Sequence, residues 1–367
     1  MRTFLKYATR TLIAIVAVIA AGIGGLLLLR SVHQSTNAKT FAIAAPAGID
    51  EAGYVEIGGI KQWIQIRGQD RANPVLLCVH GGPGGTWIPV TRLFAAWEKD
   101  FTVVLWDERG AGKTLAATGS AVASTMTIER MARDGIEVAE HLRRRLGKEK
   151  IVLLGHSFGS ILGVKMVKSR PDLFYAFVGT GQASDLPRSV AMEYDRLLAA
   201  ALSAKDARTV RELTAIGRPP FAGRPQTTTY FQCAERYQAP ADSAAMRELQ
   251  RSLLSPPPNY TLGDEMNRMR GFAVVPPWAL YQDILSTNLA VLGPEFRVPV
   301  VLIQGTDDHV TPIVLAEEYF KGVQAPAKEF VRLEGAGHFA AWSHADKFHA
   351  ELVRCVLPLA GASNKSL

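Results

Sequence analysis

The residues best suited to chemistry lie around Ser157, in the run Gly155-His156-Ser157-Phe158-Gly159. An aliphatic run precedes this segment and a helix-like sequence follows it directly, which predicts a strand, a sharp turn and a helix. On such a turn the serine hydroxyl stands clear of the sheet, and the two glycines let strand and helix approach because neither carries a Cβ. The pattern predicts a nucleophile elbow. It also arises by chance, so partner residues elsewhere in the chain have to support it.

A base and an acid for this serine follow two later strands. A serine hydroxyl at its ordinary pKa is a poor nucleophile, so it needs a base, and the base needs an acid that orients it. The predicted strand over residues 298–304 is followed by Asp307 and Asp308, and the one over residues 329–333 is followed by His338. Ligands bind at the carboxyl ends of parallel strands, where these loops would meet. The chain order serine, aspartate, histidine is that of the α/β-hydrolases.

The elements that would position these loops alternate between strand and helix. Several short runs are apolar throughout, which is typical of parallel strands covered by helices on both faces. Between residues 182 and 295 the strands stop, helical stretches such as 190–204 and 244–254 appear, and prolines break the sequence. We therefore expect an α/β fold with a doubly wound, mostly parallel sheet and an inserted helical cap. The predicted strands are residues 54–57, 61–67, 74–79, 101–106, 151–154, 173–178, 298–304 and 329–333, and the predicted core helices are residues 126–146, 313–321 and 345–357.

The N-terminal residues predict a transmembrane helix. Residues 11–29 are apolar and uncharged, and as a helix they would span roughly 28 Å, close to the hydrocarbon thickness of a bilayer. A cleaved signal peptide, giving a secreted protein, is the alternative, but its apolar part usually has only about 7–15 residues. Basic residues are denser before the helix, so we expect a single-pass protein with a cytoplasmic N-terminus and an extracytoplasmic catalytic domain. The expected division is a membrane anchor (1–30), a stalk or linker (31–48), the first part of the core (49–181), the cap (182–295) and the second part of the core (296–367).

Composition and charge exclude several classes of protein. With 48% hydrophobic and 20% charged residues, the 367-residue chain can bury a large core, which a disordered protein cannot do. Five basic residues that contribute to the net charge of +7 precede the first acid, Asp50, so the rest of the chain has a net charge of only +2. This charge distribution does not indicate a nucleic-acid-binding surface. The three cysteines lie far apart, and Cys78 falls in an apolar strand, which favours buried free thiols. His309, His344 and His349 lack metal-ligand spacing with acids, so we expect no metal and no cofactor.

Two further motifs carry a family resemblance: HGGPGG at residues 80–85 and WDERGAGKT at residues 106–114. Together with the serine and histidine loops, they make the chain similar, from about residue 53 onward, to the prolyl aminopeptidase (proline iminopeptidase) branch of the α/β-hydrolases. In that family the acid lies three residues after the glycine of a G-x-x-D turn and four residues before a proline. The resemblance therefore implies Asp308, rather than Asp307, as the acid.

The resemblance also implies the remaining parts of a serine-hydrolase apparatus. His338, the histidine of G-x-G-H, would take the proton of Ser157, which would attack a carbonyl and form an acyl-enzyme that water hydrolyses. The backbone N–H groups of Gly82 and Phe158 would form the oxyanion hole. Such donors contribute about 3–4 kcal/mol each to transition-state stabilisation.

Neighbouring residues of these loops have expected supporting roles. His80 and Arg109 resemble family positions that brace the oxyanion loop, and we expect Arg109 to form a structural ion pair with Asp107. His156 and Phe158 depart from the family, because the peptidases commonly have glycine and tryptophan there. These two departures, and the membrane anchor, leave the choice between amide and ester substrates open.

The substrate depends on the cap. We expect a small molecule or a short peptide, with a proline-type aminopeptidase or related small-amide hydrolase as the leading function. A carboxylic-ester hydrolase (esterase- or lipase-like) is the alternative, and an inactive membrane-tethered binding module is a remote one. An aminopeptidase must hold the free ammonium group of its substrate, which needs one or two carboxylates near the site. The candidates in the cap are Glu193, Glu235, Glu248 and Glu265.

Overall fold

A sheet of eight strands lies at the centre of the structure, a computed structural model that describes residues 2–361. Met1, where the predicted anchor begins, and residues 362–367, at the end of the predicted core, lie outside the described residues. The strands are β1 (Ile49–Ile57), β2 (Ile60–Gly68), β3 (Val75–Val79), β4 (Thr102–Asp107), β5 (Ile151–His156), β6 (Phe174–Thr180), β7 (Val300–Gly305) and β8 (Lys328–Leu333). Their spatial order is β1-β2-β4-β3-β5-β6-β7-β8, antiparallel over the first two pairings and parallel over the rest. The predicted α/β fold with a mostly parallel sheet is confirmed.

The central strands are apolar throughout because helices cover both faces of the sheet. Every residue of β3, β4, β5 and β7 is buried. Successive side chains point to opposite faces, so Leu76 belongs to one hydrophobic cluster and Leu77 to the other. At the open edge, β1 and β2 form a hairpin whose turn residues, Gly58 and Gly59, have φ values of 59° and 74°. Glycine suits this turn because both positions require positive φ.

Thirteen α-helices and five short 3₁₀ helices occur within residues 2–361. The helix predicted over residues 126–146 is capped by Thr127, whose side chain accepts the Arg130 N–H, and it ends at Gly147 in the left-handed conformation. The α-helices are α1 (Arg2–Thr40), α2 (Gly112–Thr118), α3 (Ile128–Leu146), α4 (Phe158–Ser169), α5 (Leu186–Ser203), α6 (Ala207–Ile216), α7 (Arg224–Arg236), α8 (Pro240–Arg251), α9 (Leu262–Ala273), α10 (Trp278–Leu285), α11 (Ile313–Gly322), α12 (Ala340–Ser343) and α13 (Ala345–Gly361). The 3₁₀ helices are Ile88–Phe94, Trp97–Lys99, Ser120–Thr125, Pro171–Leu173 and Leu289–Leu292.

Six of these helices, α5 to α10, lie between β6 and β7 and form the cap. Helix α5 starts four residues before the predicted position because Asp185 caps it by accepting the Arg188 N–H. Helix α8 likewise starts early, at Pro240, since proline lacks an N–H and suits the first turn of a helix. Part of the cap has its own hydrophobic core, built from Val190, Tyr194, Leu197, Leu213, Tyr230 and Cys233.

The N-terminal helix α1 has 39 residues and includes the predicted apolar run. It is long and apolar enough to cross a membrane, and its most apolar stretch is fully exposed. The helix continues through residue 40, so the first ten residues of the segment predicted as a linker are helical. Its last turns contact the cap: Arg30, Gln34 and Asn37 donate hydrogen bonds to carbonyl groups of residues 252–260.

Candidate active site

Ser157 lies at the junction of β5 and α4 and has the strained backbone that the sequence predicts. Its φ and ψ are 54° and −122°, a conformation that non-glycine residues rarely adopt. A Cβ on Gly159 would collide with the carbonyl oxygen of Val79, and one on Gly155 would lie 2.5 Å from the carbonyl oxygen of Gly159. Only glycine therefore permits this close approach of helix and strands, which turns the serine outward from the sheet.

Asp308 and His338 meet at the carboxyl ends of β7 and β8. His338 Nδ1 lies 3.0 Å from Asp308 Oδ2 and 3.2 Å from Oδ1. Four other groups donate to the same carboxylate: the Gln304 amide at 2.9 Å, the Thr311 hydroxyl at 2.7 Å, and the N–H groups of Val310 and Thr311 at 2.9 and 2.8 Å. The exposed Asp307 points elsewhere, with Oδ1 near the Thr306 hydroxyl. Of the two candidate aspartates, the structure brings Asp308 to the histidine.

Burial and charge shift the pKa values of His338 and Asp308 in opposite directions. Burial alone would lower the pKa of His338, but the charge of Asp308 and its hydrogen bond outweigh burial, so the pKa of His338 is raised above its ordinary 6.5. Burial alone would raise the pKa of Asp308, but His338 and the Thr311 hydrogen bonds outweigh burial and lower it. Asp308 is therefore ionised at neutral pH, and it stabilises a positive charge on the imidazole.

His156, the residue that precedes Ser157, contacts His338 and so connects the histidine loop to the serine. The rings of His156 and His338 are 4.8 Å apart between centroids, and His156 Nε2 lies 2.9 Å from the carbonyl oxygen of His338. Burial, followed by the neighbouring His338, lowers the pKa of His156 to about 3, so this ring is neutral and donates to that carbonyl. His156 thus packs against the histidine loop. Ser157 Oγ and His338 Nε2 have no hydrogen-bond partner within residues 2–361.

Two backbone N–H groups beside the serine are free to bind a ligand. Phe158 is the first residue of α4, where the helix leaves N–H groups unpaired and its dipole favours negative charge. Gly82, at φ 149°, donates no hydrogen bond within the described part of the chain, and neither does the Phe158 N–H. The loop of residues 80–85, which we call the glycine loop, touches the serine, because a Cβ on Gly81 would lie 2.9 Å from Ser157 Cβ. This geometry suits a developing oxyanion.

The residues that brace this loop are partly those expected. His80 Nδ1 lies 2.8 Å from the carbonyl oxygen of Gly81, and the Glu108 N–H donates to His80 Nε2 at 3.3 Å. Burial lowers the pKa of His80 to about 4, so the ring is neutral. Burial also raises the pKa of the Glu108 carboxyl well above its ordinary value.

The expected ion pair between Asp107 and Arg109 is wrong. Arg109 Nε instead donates to Asp134 of α3 at 2.8 Å, and the same guanidinium binds the carbonyl oxygen of Gly58 at 2.9 Å. Asp107 accepts the Thr86 hydroxyl and the Lys113 N–H. Arg109 lies just past the end of β4, so its long side chain reaches the neighbouring helix and hairpin more readily than the strand it follows.

Sequence reasoning missed Asp242, a buried residue of α8. Its two carboxylate oxygens accept the backbone N–H groups of His338 and Phe339, each at 3.0 Å. Burial raises the pKa of Asp242, although His338 and these two hydrogen bonds counteract the rise. This carboxylate fixes the histidine loop from the cap side. No local motif could have identified it, because its partners lie almost a hundred residues further along the chain.

The four candidate cap carboxylates have different surroundings. Glu193 is buried, and Arg196 binds both of its oxygens at 2.6 Å. Glu248 forms ion pairs with Arg92 and Arg251, Glu265 forms one with Arg268, and Glu235 is exposed. Burial raises the pKa of Glu193, Arg196 counteracts this rise, and the charge of Asp308 is a smaller contribution that also raises it.

Potential metal ligands and thiols are the other reactive side chains of the chain. No group of three or more His, Cys, Asp or Glu residues within residues 2–361 could hold a metal ion. Cys78, Cys233 and Cys355 are all free and buried, as the sequence predicts. The groups that the structure places at this site are the serine, the imidazole, the carboxylate and the two N–H donors.

Comparisons with known proteins identify the family of this chain. Residues 74–345 match the α/β-hydrolase fold family. The chain is 31% identical over 291 residues to a probable aminopeptidase, YbaC, of Bacillus subtilis, across 77% of this chain and 89% of that protein. It is 23% identical to a proline iminopeptidase of Saccharolobus solfataricus, across 81% and 89% of the two chains. The solved proline iminopeptidase of Mycobacterium smegmatis has the same fold, with a TM-score of 0.60, 19% identity, and coverage of 85% of this chain and all of that one.

Proposed function

Because this chain belongs to the α/β-hydrolase fold family and is a hydrolase of the prolyl aminopeptidase-like branch, we propose that Ser157, His338 and Asp308 form its catalytic triad. The contact between His338 Nδ1 and the Asp308 carboxylate carries this proposal, since it directs the other ring nitrogen, Nε2, away from the acid. Nε2 and Ser157 Oγ are both free of other partners within residues 2–361. Catalytic hydrogen bonds of this kind often tighten only when substrate is bound.

The proposed reaction proceeds through an acyl-enzyme. His338 Nε2 takes the proton of Ser157, whose oxygen attacks the substrate carbonyl, while the N–H groups of Gly82 and Phe158 donate to the oxyanion. The imidazolium then protonates the leaving amine or alcohol. A water molecule attacks the ester formed on Ser157, with His338 again as base, and the free acid is released.

Covalent labelling tests the nucleophile. A fluorophosphonate probe is expected to label the full chain on Ser157, and Ser157→Ala is expected to abolish both labelling and turnover. The exposed Ser203 at the end of α5 is a matched control, so Ser203→Ala should label normally. Labelling that persists unchanged in Ser157→Ala would exclude this serine as the nucleophile.

For the substrate, we favour the removal of an N-terminal residue, such as proline, from short peptides or small amides. The relatives named aminopeptidase or proline iminopeptidase support this choice. Glu193 is the cap carboxylate proposed to attract the substrate ammonium, because it is buried within the cap and the charge of Asp308 contributes to its pKa. Each of its oxygens keeps a lone pair beyond the bond to Arg196. Glu235 is exposed, and the ion-pair partners of Glu248 and Glu265 are arginines outside the Asp308 loop.

A specific observation favours ester hydrolysis as the second candidate. Arg196 neutralises Glu193 through two hydrogen bonds of 2.6 Å, so the net charge available to an ammonium group is small. A substrate without an amine would not need a free carboxylate. The same triad and oxyanion hole would then cleave a carboxylic ester.

Parallel assays with proline naphthylamide and short p-nitrophenyl esters separate the two candidates. If the aminopeptidase proposal is correct, the amide is turned over efficiently and Glu193→Gln raises its KM severalfold without changing the KM for the ester. The exposed Glu235→Gln is the control and should change neither. Turnover of esters alone, with no effect of Glu193→Gln, would favour the second candidate.

We further propose that α1 anchors the protein in a membrane with its N-terminus in the cytoplasm, on the length and apolar character of this helix and the basic residues before it. The full-length chain should then stay in the membrane fraction after alkaline carbonate extraction. A shortened chain in the soluble fraction, with its N-terminus after the apolar run, would instead indicate a cleaved signal peptide. Protease added to the cytoplasmic side should remove only the N-terminal residues.

A further inference from the structure

One face of cap helix α9 exposes large apolar side chains. Leu262, Met266 and Met269 follow each other at intervals of four and three residues, which places them on one side of the helix. Their exposed fractions are 45%, 60% and 50%. The opposite side of α9 is buried, with Asp264 and Gly271 facing the body of the protein. Together with Phe272, Leu253 and Leu254, which are also exposed, these residues form what we call the α9 apolar surface.

The loop that leads into this surface also holds the N-terminal helix. Arg30 donates to the carbonyl oxygens of Leu253 and Tyr260, and Gln34 donates to Tyr260 at 3.0 Å. Asn37 completes the same face of α1 and donates to the carbonyl of Pro256 at 2.9 Å. Helix α9 begins two residues after Tyr260, so the contact with α1 and the start of the apolar surface are adjacent in the chain.

Arg30 also marks the point where α1 leaves the body of the protein. Its side chain is buried against the loop, whereas Leu28 and Leu29 before it are exposed. Each helical residue adds about 1.5 Å, so the apolar run ends within one turn of the loop that carries Leu253 and Leu254. A bilayer that surrounds this run would therefore begin next to those two leucines and the first turn of α9.

Charge at this surface is compatible with a lipid headgroup layer. The acids closest to it are neutralised, since Asp264 pairs with Lys113 at 2.7 Å and Glu265 pairs with Arg268. Arg270 is exposed on α9 beside the apolar residues. Helices with an apolar face and basic flanking residues lie in the plane of the membrane interface.

From the position of Arg30 and the exposed face of α9, we propose that the α9 apolar surface docks on the lipid bilayer in which α1 is anchored. This inference rests on the proposed membrane anchor and adds a second, peripheral contact. The cap, rather than the opposite side of the sheet, then faces the membrane. Its helix α9 reaches from the anchor contact at Tyr260 to the glycine loop, where a Cβ on Gly84 would collide with the carbonyl of Gly271.

The test measures the membrane depth of spin labels on the full chain. Met266→Cys and Met269→Cys would each be labelled with a nitroxide, in nanodiscs of phosphatidylcholine and phosphatidylglycerol. The three native cysteines are buried, which limits their background labelling. Val16→Cys, in the apolar run, reports on the anchor itself. Val291→Cys, at a site that is 81% exposed on another part of the molecule, is the control for an exposed apolar residue. Normal fluorophosphonate labelling of each variant shows that it is folded.

For each spin label, the accessibility to oxygen is divided by the accessibility to a water-soluble nickel complex. We expect this ratio to be severalfold higher at residues 266 and 269 than at residue 291. Water-like ratios at 266 and 269, with a lipid-like ratio at residue 16, would overturn the docking proposal and leave the anchor intact. A water-like ratio at residue 16 would refute the anchor separately. Short label-to-label distances between two copies, in place of lipid exposure, would mean that a second chain covers the surface and would also overturn the proposal.

Discussion

The two halves of the candidate active site differ in how completely their polar groups are paired. On the acid–base side, the Asp308 carboxylate accepts from Gln304, Val310 and Thr311 as well as contacting His338. On the nucleophile side, Ser157 Oγ and the N–H groups of Gly82 and Phe158 have no partner within residues 2–361.

This difference shows how the fold divides its task. Groups that carry charge in the resting protein are fixed by several hydrogen bonds, which keeps Asp308 ionised although it is buried. Groups that would meet charge only during the reaction are held by the backbone and left unpaired. Preorganised donors of this kind need no reorganisation when the oxyanion forms.

Apart from loss of the nucleophile itself, removal of the Asp308 charge on the acid–base side should lower kcat the most. Asp308→Asn is expected to lower kcat about 10⁴-fold, because the imidazole loses its orienting acceptor and its charge partner. The measurement is kcat on whichever substrate the assays identify. Asp307→Asn changes the neighbouring, exposed carboxylate and should leave kcat near the wild-type value. A larger loss in Asp307→Asn than in Asp308→Asn would reverse the assignment of the acid.

The pH dependence tests the same charge in the unmodified protein. The base must be neutral to accept a proton, so kcat/KM should fall as the pH drops through the pKa of His338. Asp308 raises this pKa, so the acid limb should be centred above pH 6.5. An acid limb centred well below pH 6.5 would contradict the described electrostatics.

On the nucleophile side, Gly82→Ala should displace an oxyanion donor. A Cβ there would lie 2.8 Å from the N atoms of Gly84 and Gly85, so the loop has to shift. We expect kcat to fall about 10²–10³-fold with little change in KM. Gly59→Ala is the matched control, since Gly59 also has positive φ but its Cβ would meet nothing within 4 Å. Unchanged kcat in Gly82→Ala would argue against this N–H as a donor.

Asp242 connects the cap to the acid–base side of the site. Asp242→Ala leaves the N–H groups of His338 and Phe339 without their acceptors, which we expect to lower kcat about 10- to 100-fold through misplacement of the imidazole. The Asp242 charge also raises the pKa of His338, so Asp242→Asn should move the acid limb to lower pH. Ser243→Ala, at the next position of α8, should do neither. An unshifted acid limb in Asp242→Asn would indicate a purely structural role.

The smallest expected effect is the loss of one hydrogen bond to Asp308. Thr311→Val removes the hydroxyl that donates to Asp308 Oδ2 at 2.7 Å, and kcat/KM should fall about tenfold. Thr311→Ser retains the hydroxyl and should restore most of the activity. Equal losses in both variants would point to the methyl group and packing instead.

The parts of this protein that could be predicted from sequence are those set by local patterns. Ser157 and its flanking glycines are specified within five residues, and the Asp308 and His338 loops each follow a recognisable apolar strand. The parallel sheet also follows from its uniformly apolar strands. Short-range chemistry of this kind is visible in one stretch of chain.

What the sequence could not supply depends on contacts between distant segments. Arg109 binds Asp134 rather than Asp107 because the packing of α3 against the sheet brings that carboxylate within reach. Asp242 joins the site only through the fold of the cap. The contact of Arg30 with the same cap was equally hidden, since an arginine after an apolar run ordinarily marks only the end of a membrane span.

Helix α1 runs without interruption from the apolar segment to its contact with the cap, so movements of the two are coupled. While Arg30, Gln34 and Asn37 keep their hydrogen bonds, the loop at residues 252–260 moves together with a helix of 39 residues, roughly 58 Å long. A rotation of about 5° about Arg30 would displace Arg2, roughly 42 Å away along the helix, by about 4 Å. A movement of the cap away from the sheet therefore requires either that α1 rotates with the cap or that the sheet moves while the cap stays in place.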